Sequence, residues 1–229
     1  MKHSHSKGFT LAEVLVTLGI IGVVSAMTIP TLVNNHQRKV YVTQLQSVVS
    51  LLSQAAENAI QDSNAISLDE TRYSANKSEN VANFFNDYFK VVNNCGASLT
   101  PCFADSYETL SGSDFTLETP IVALSLANGA SISVFATQGR SYTYINSDGS
   151  EEKVTNFDWH GLYQMQVDIN GQKGPNILGR DLFYMELYSD GKVAESYNGD
   201  RSDLCLGEDS TYGSGCFNKI VNDGWTMDY

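Results

Sequence analysis

At 229 residues, 42% of them hydrophobic, the chain is long enough for one sizeable core, so one globular domain with an extension is the default expectation. Its 26 Asp and Glu against 14 Lys and Arg give a net charge of −12, and loss of an N-terminal stretch carrying Lys2 and Lys7 would make it more negative still. That balance, with no basic run anywhere, excludes a general nucleic-acid-binding surface, because neutralising phosphates requires clustered Lys and Arg.

The chain starts with a short polar, basic segment from Met1 to Lys7, followed by Gly8 and a 21-residue apolar stretch from Phe9 to Ile29. At about 1.5 Å per residue, a helix of that length spans roughly 30 Å, the thickness of a bilayer core. One charge interrupts it, Glu13, four residues beyond Phe9. A carboxylate in hydrocarbon costs about 3 kcal/mol, so it requires a partner or a task. A cleaved secretory signal would use Val24-Ser25-Ala26 as its small-residue site, and an ordinary signal anchor would use the length alone. Neither accounts for an acid near the start of the apolar run.

The residues Lys7-Gly8-Phe9-Thr10-Leu11-Ala12-Glu13 resemble the processing signature of type IV pilins and type II secretion pseudopilins, and the likeness extends over about residues 7–35. The resemblance implies cleavage between Gly8 and Phe9 by a prepilin peptidase, with N-methylation of the new terminus, Phe9. Glu13 then takes the fifth mature position, where the family keeps its glutamate, and Gly22 and Pro30 fall where pilins place a helix-loosening glycine and a proline. Tolerance of such residues by membrane helices is the plainer reading of those two. Because Pro30 lacks an amide hydrogen, a kink or loosening is expected between Gly22 and Pro30. In a filament of this family, the Phe9 amine of one subunit would meet a neighbour's Glu13, a charge pair that sets register more than it adds net stability. The partners implied are other pilins, the prepilin peptidase and methyltransferase, an inner-membrane assembly platform and, before assembly, the bilayer. The implied location is the bacterial inner membrane, single-pass with an extracytoplasmic head, and then a periplasmic or cell-surface filament.

Beyond the apolar run the helix is expected to continue to about residue 60, since Tyr41, Leu45, Val48, Leu52, Ala56 and Ala59 recur at steps of three and four. Residues 61–79 read as a loop, and a second helix is expected from Asn80 to Val92, burying Val81, Phe84, Phe85, Tyr88 and Phe89. From residue 115 the pattern turns to strands, at Ile121–Leu126, Ala130–Ala136, Leu162–Ile169 and Asp181–Tyr188. Ala127-Asn128-Gly129 and Ser189-Asp190-Gly191 supply the turns. The expected fold class is α+β, a long N-terminal helix packed on a small antiparallel sheet. The expected organisation is a leader at 1–8, the long helix at 9–60 and a head at 61–229.

Four cysteines form two local pairs, Cys95 with Cys102 and Cys205 with Cys216, expected as disulfides on an exported head. Zinc is disfavoured, since neither spacing is Cys-x-x-Cys and no histidine is near. The stretch from Val167 to Asp181 resembles a loop of a bacterial subgroup of pilin-like proteins, and Asp168, Asn170, Asn176 and Asp181 offer the hard oxygens calcium prefers. It does not fit the EF-hand pattern, because Gln172 and Gly179 stand at the fifth and twelfth positions. Some type II secretion pseudopilins hold calcium in their heads, but their motif does not transfer here residue by residue. Turn capping by the same Asp and Asn side chains is the preferred reading, and no cofactor is required.

No catalytic constellation is visible. His3 and His5 lie in the leader, His36 follows the apolar run, and His160 with Asp158 reads as a solvated turn. The expected function is a structural filament subunit. The alternative is a membrane-anchored extracytoplasmic binding or catalytic domain that borrows the same anchor, which would have no use for Glu13, Gly22 and Pro30 together.

Overall fold

A computed structural model of the chain describes residues 9–74, 78–137, 141–145, 151–155, 161–195, 202–206 and 215–229, with 141–145 and 151–155 described by backbone only. It divides into two compact units, with the boundary between Val40 and Tyr41.

In the first unit, helix α1 (Leu11–Asp62) begins two residues after Phe9. Phe9, Leu11, Leu15, Leu18, Ile20 and Ile21 are all exposed, as expected of a stretch whose apolar character serves surroundings outside the single chain. By length and apolar composition, this helix can cross a membrane. Two of its hydroxyls are satisfied internally: Thr17 Oγ1 donates to Val14 O at 2.9 Å and Thr28 Oγ1 to Val24 O at 3.0 Å. The helix is continuous across Pro30, so the expected loosening does not take the form of a break.

The second unit begins with the rest of α1, where Val42, Leu45, Val48, Leu52, Ala56 and Ala59 are buried. Tyr41, expected at the start of the stripe, is half-buried and packs against this core, and Val42 beside it is buried. Helix α2 (Ser78–Tyr88) buries Val81, Phe84 and Phe85, and the Phe84 ring meets Tyr73 and Tyr163 edge-on at 5.8 and 5.5 Å between centroids. The helix stops at Tyr88, short of the expected Val92. The two valines that follow belong instead to strand β1 (Val91–Gly96), a use that their stiff branched side chains favour. Residues 61–79 are not wholly loop either, since a 3-10 turn at Leu68–Glu70 buries Leu68.

Nine further strands follow: β2 (Tyr107–Glu108), β3 (Asp114–Phe115), β4 (Val122–Leu126), β5 (Ser131–Thr137), β6 (Ser141–Ile145), β7 (Glu151–Thr155), β8 (Tyr163–Asp168), β9 (Leu182–Leu187) and β10 (Val193–Ala194). Five of them join β1 in a six-stranded antiparallel sheet in the order β1-β4-β5-β8-β9-β10, while β2–β3 and β6–β7 pair as separate ribbons. The short last helix, α3 (Cys216–Asn222), closes the chain. The fold is α+β, a long helix followed by a mainly antiparallel head. The four expected strands lie within a residue of β4, β5, β8 and β9, and both expected turns use a glycine in the left-handed region, Gly129 at φ 93° and Gly191 at φ 85°.

Alternation along these strands makes two layers. Ile132, Val134, Tyr163, Met165, Val167 and Phe183 join the α1 and α2 side chains in the main core. The opposite face carries Ser131, Ser133, Gln164, Gln166 and Asp168, yet it too is buried. Residues 102–118 cover it, with Phe103 and Tyr107 packing on Ala123, Leu178 and Leu182. Two of its polar groups find partners in that cover: Ser131 Oγ donates to Cys102 O at 2.6 Å, and Gln166 Oε1 accepts from Glu118 N at 2.9 Å. Asp168 therefore ends β8 on a polar face that is sealed from water.

Candidate functional site

Two places in the chain gather the residues singled out in the sequence. The first is the start of α1. Gly8 lies outside the described residues, and Phe9 is 90% exposed. Thr10 and Glu13 form a reciprocal cap. Thr10 N and Thr10 Oγ1 both donate to Glu13 Oε2, at 2.8 and 2.9 Å, and Glu13 N donates back to Thr10 Oγ1 at 3.2 Å. The helix start is thus satisfied by its own side chains, and the carboxylate lies at the positive end of the helix dipole. Its other oxygen, Oε1, has no hydrogen bond among the described residues. Thr10 was not among the expected site residues, although its spacing to Glu13 is the sequence signature of such a cap. At Gly22, an added Cβ would meet nothing within 4 Å, so no contact inside the single chain requires a glycine there. Pro30 sits within α1.

Both cysteine pairs are bonded as expected, Cys95–Cys102 and Cys205–Cys216, across separations of 7 and 11 residues. Loops of that size contribute about 2–3 kcal/mol each by restricting the unfolded chain. The second bond is wholly buried and ties the 3-10 turn Ser202–Leu206 to α3. Non-reducing peptide mapping of exported protein should recover these two pairs. A paired Cys205→Ser, Cys216→Ser variant should lose about 2–3 kcal/mol in chemical denaturation. Free thiols at all four positions in exported protein would contradict the assignment.

The second place is the loop between β8 and β9, which brings Asp168, Asn170, Asn176 and Asp181 together. Asp168 and Asp181 are fully buried, and Ile169 N donates to Asp181 O at 2.9 Å, holding the two stems side by side. Asp168 Oδ2 accepts from Tyr107 OH at 2.6 Å and Oδ1 from Asn170 N at 3.1 Å. Asp181 Oδ1 accepts from Ile177 N at 2.6 Å, and its Oδ2 from Asn176 N at 2.8 Å and Asn170 Nδ2 at 3.3 Å. The expected turn capping is therefore present. Burial pushes the Asp168 carboxyl up to about 7 against the pull of its hydrogen bonds, and burial raises Asp181 as well.

Glycines frame the loop. A Cβ on Gly171 would fall 2.8 Å from Gly129 O, and one on Gly179 would fall 2.6 Å from Cys216 Sγ. The loop is thereby wedged between the β4–β5 turn and the buried disulfide, and Tyr229 OH closes over it by donating to Gly179 O at 2.6 Å. Among the described residues, no three His, Cys, Asp or Glu side chains gather as a metal cluster. Asp158 and His160 lie outside the described residues.

Residues 3–29 match the prokaryotic N-terminal methylation motif. No curated protein and no solved structure matches the chain. This motif, on a long apolar helix ahead of an α+β head, supports a type IV pilin- or pseudopilin-like protein.

Proposed function

We propose that the chain is a structural subunit of a type IV pilus-like or type II secretion filament. In this reading a prepilin peptidase cuts between Gly8 and Phe9, Phe9 is N-methylated, and the mature chain waits in the inner membrane with its head outside the cytoplasm. The observation that carries the proposal is Glu13: a lone acid in a 21-residue apolar run, inside the methylation motif. A carboxylate there is costly for an anchor.

The cap offers a physical route for such a residue. In the single subunit, Thr10 supplies two donors to Glu13 Oε2, which lowers the cost of holding the charge in lipid. Assembly would bring the Phe9 amine of an adjacent subunit to the same carboxylate, with Oε1 as the open acceptor. The exposed apolar face from Leu11 to Val33 would then pack on neighbouring helices, with Gly22 allowing close approach. The other members of the filament, the peptidase and an assembly platform are the partners in this reading, and the chain itself performs no chemistry.

The test is to shear surface or periplasmic filaments from cells producing this chain and to analyse them by electron microscopy and intact mass. Filaments containing a chain that begins at N-methylated Phe9 are expected. A mature chain confined to the membrane, in cells whose assembly machinery is active, would overturn the proposal.

A further inference from the structure

The polar segment that follows the apolar run is cationic in a chain that is otherwise strongly acidic. Arg38 and Lys39 are adjacent in α1, and no Asp or Glu stands between Glu13 and Glu57. Of the 14 Lys and Arg, four precede Val40, and of the 26 Asp and Glu only Glu13 does, which leaves 10 basic against 25 acidic residues after it. That larger part of the chain gains nothing from a negatively charged surface, so any such attraction must come from Arg38 and Lys39. Removal of the leader would take Lys2 and Lys7 with it and leave these two as the only Lys or Arg ahead of Arg72.

Depth along the helix decides what the two side chains can meet. Val33, 45% exposed, is the last large apolar residue before the polar run Asn34-Asn35-His36-Gln37. At about 1.5 Å per residue, the Cα atoms of Arg38 and Lys39 lie about 7.5 and 9 Å beyond it. The headgroup layer on each side of the hydrocarbon is about 5–8 Å thick. Every Cα–Cβ bond of a helix tilts toward its N-terminus, here back toward the apolar run. Long cationic side chains that follow this tilt bring their charge to the depth of the lipid phosphates.

Spacing adds a second kind of donor. Asn34 and Arg38 are four residues apart and share one face of α1, and Asn35 and Lys39 share another. Arg38 is half-buried and the other three are exposed. Each pair sets carboxamide N–H groups one turn below a cation, and a phosphodiester can accept from both at once. The two faces diverge by about 100°, which suits two lipids side by side better than one.

We propose that Asn34, Asn35, Arg38 and Lys39 form a headgroup clamp for anionic phospholipids in the leaflet at this end of the apolar run. The clamp rests on the reading in which α1 crosses the membrane. It holds the processed chain at one depth until assembly withdraws it.

The test reconstitutes the full-length chain in phosphatidylcholine vesicles. Electron spin resonance then measures how much spin-labelled phosphatidylglycerol, and in turn spin-labelled phosphatidylcholine, is held at the protein. Wild type should prefer phosphatidylglycerol by at least about fivefold, since each cation near an anionic surface contributes roughly that factor. The preference should fall close to unity when Arg38→Gln and Lys39→Gln are combined, and also in about 1 M salt, where the screening length is about 3 Å. Arg38→Lys should keep it. Asn34→Ala combined with Asn35→Ala changes no charge and should lower it at least about twofold. All these positions lie on the helix surface, so the variants leave the head intact. An undiminished preference in the glutamine or the alanine variant would overturn the clamp. Flotation separates its failure from that of the reading beneath it. A chain that does not float with the vesicles overturns the membrane-spanning reading and the clamp together, whereas one that floats without lipid preference overturns the clamp alone. Loss of filaments in the glutamine variant with its lipid preference intact would assign Arg38 and Lys39 to contact with another copy instead.

Discussion

A Gly8→Trp chain is expected to accumulate as unprocessed precursor, with cleavage slowed at least about a hundredfold. The argument is steric. A peptidase must bring its catalytic groups onto the peptide bond between Gly8 and Phe9, and glycine leaves that backbone bare. A large side chain at the scissile position displaces the bond by an ångström or more, and misplacement on that scale costs about a hundredfold in rate. Nothing else in the chain should change. The apolar run from Phe9 to Ile29 is intact, so membrane insertion proceeds, and the Thr10–Glu13 cap lies beyond the substitution. The precursor should nevertheless be absent from filaments, because its only terminal amine remains on Met1. Intact-mass analysis of membrane and filament fractions reads both effects. A mature chain that instead begins after Ala26, in wild type and variant alike, would mean an ordinary secretory signal.

The parts of this molecule that were legible in its sequence are those where one local rule decides. The apolar run and its single acid mark the N-terminal helix, and the three-and-four spacing of Leu45, Val48 and Leu52 marks its buried continuation. Strand β8 is legible because Tyr163, Met165 and Val167 alternate with polar neighbours. That same alternation says nothing of what covers the other face, where a segment distant in sequence folds over the sheet and supplies partners to Gln166 and Asp168. No local pattern announces that cover, since β2 and β3 are two residues each and Phe103 stands among turn residues. The end of α2 differs from expectation for a similar reason: Val91 and Val92 continue the apolar pattern of α2, and their pairing with β4 makes them a strand. At the loop, residue types named the four oxygen donors, whereas their burial and the orphaned amide oxygens belong to tertiary structure. Thr10 is a different case. Its spacing to Glu13 is the local signature of the cap that the structure shows.

The cap also makes the Glu13 test sharper than simple removal of the acid. Glu13→Leu is expected to insert and be cleaved like wild type, because a carboxylate in hydrocarbon costs about 2.5–3.5 kcal/mol while loss of a cap costs about 1 kcal/mol. The isolated helix should thus be at least as stable in the membrane. Assembly is where the variant should fail. Each Phe9 amine buried in a filament without its counter-charge carries a penalty of about 3–5 kcal/mol, which at 1.4 kcal/mol per tenfold weakens each subunit addition by more than a hundredfold. Sheared filaments should therefore be undetectable when this variant is the only copy. Loss of filaments could also follow from loss of the cap, and Glu13→Gln separates the two causes. A glutamine at this position still accepts from Thr10 N and keeps the reciprocal cap, but it carries no charge. If charge pairing governs assembly, Glu13→Gln should be nearly as defective as Glu13→Leu, although its helix start is preserved. Wild-type filament yield from fully processed Glu13→Gln would transfer the role to hydrogen bonding by Thr10. Wild-type yield from Glu13→Leu would sink the pairing altogether and leave the helix as an anchor.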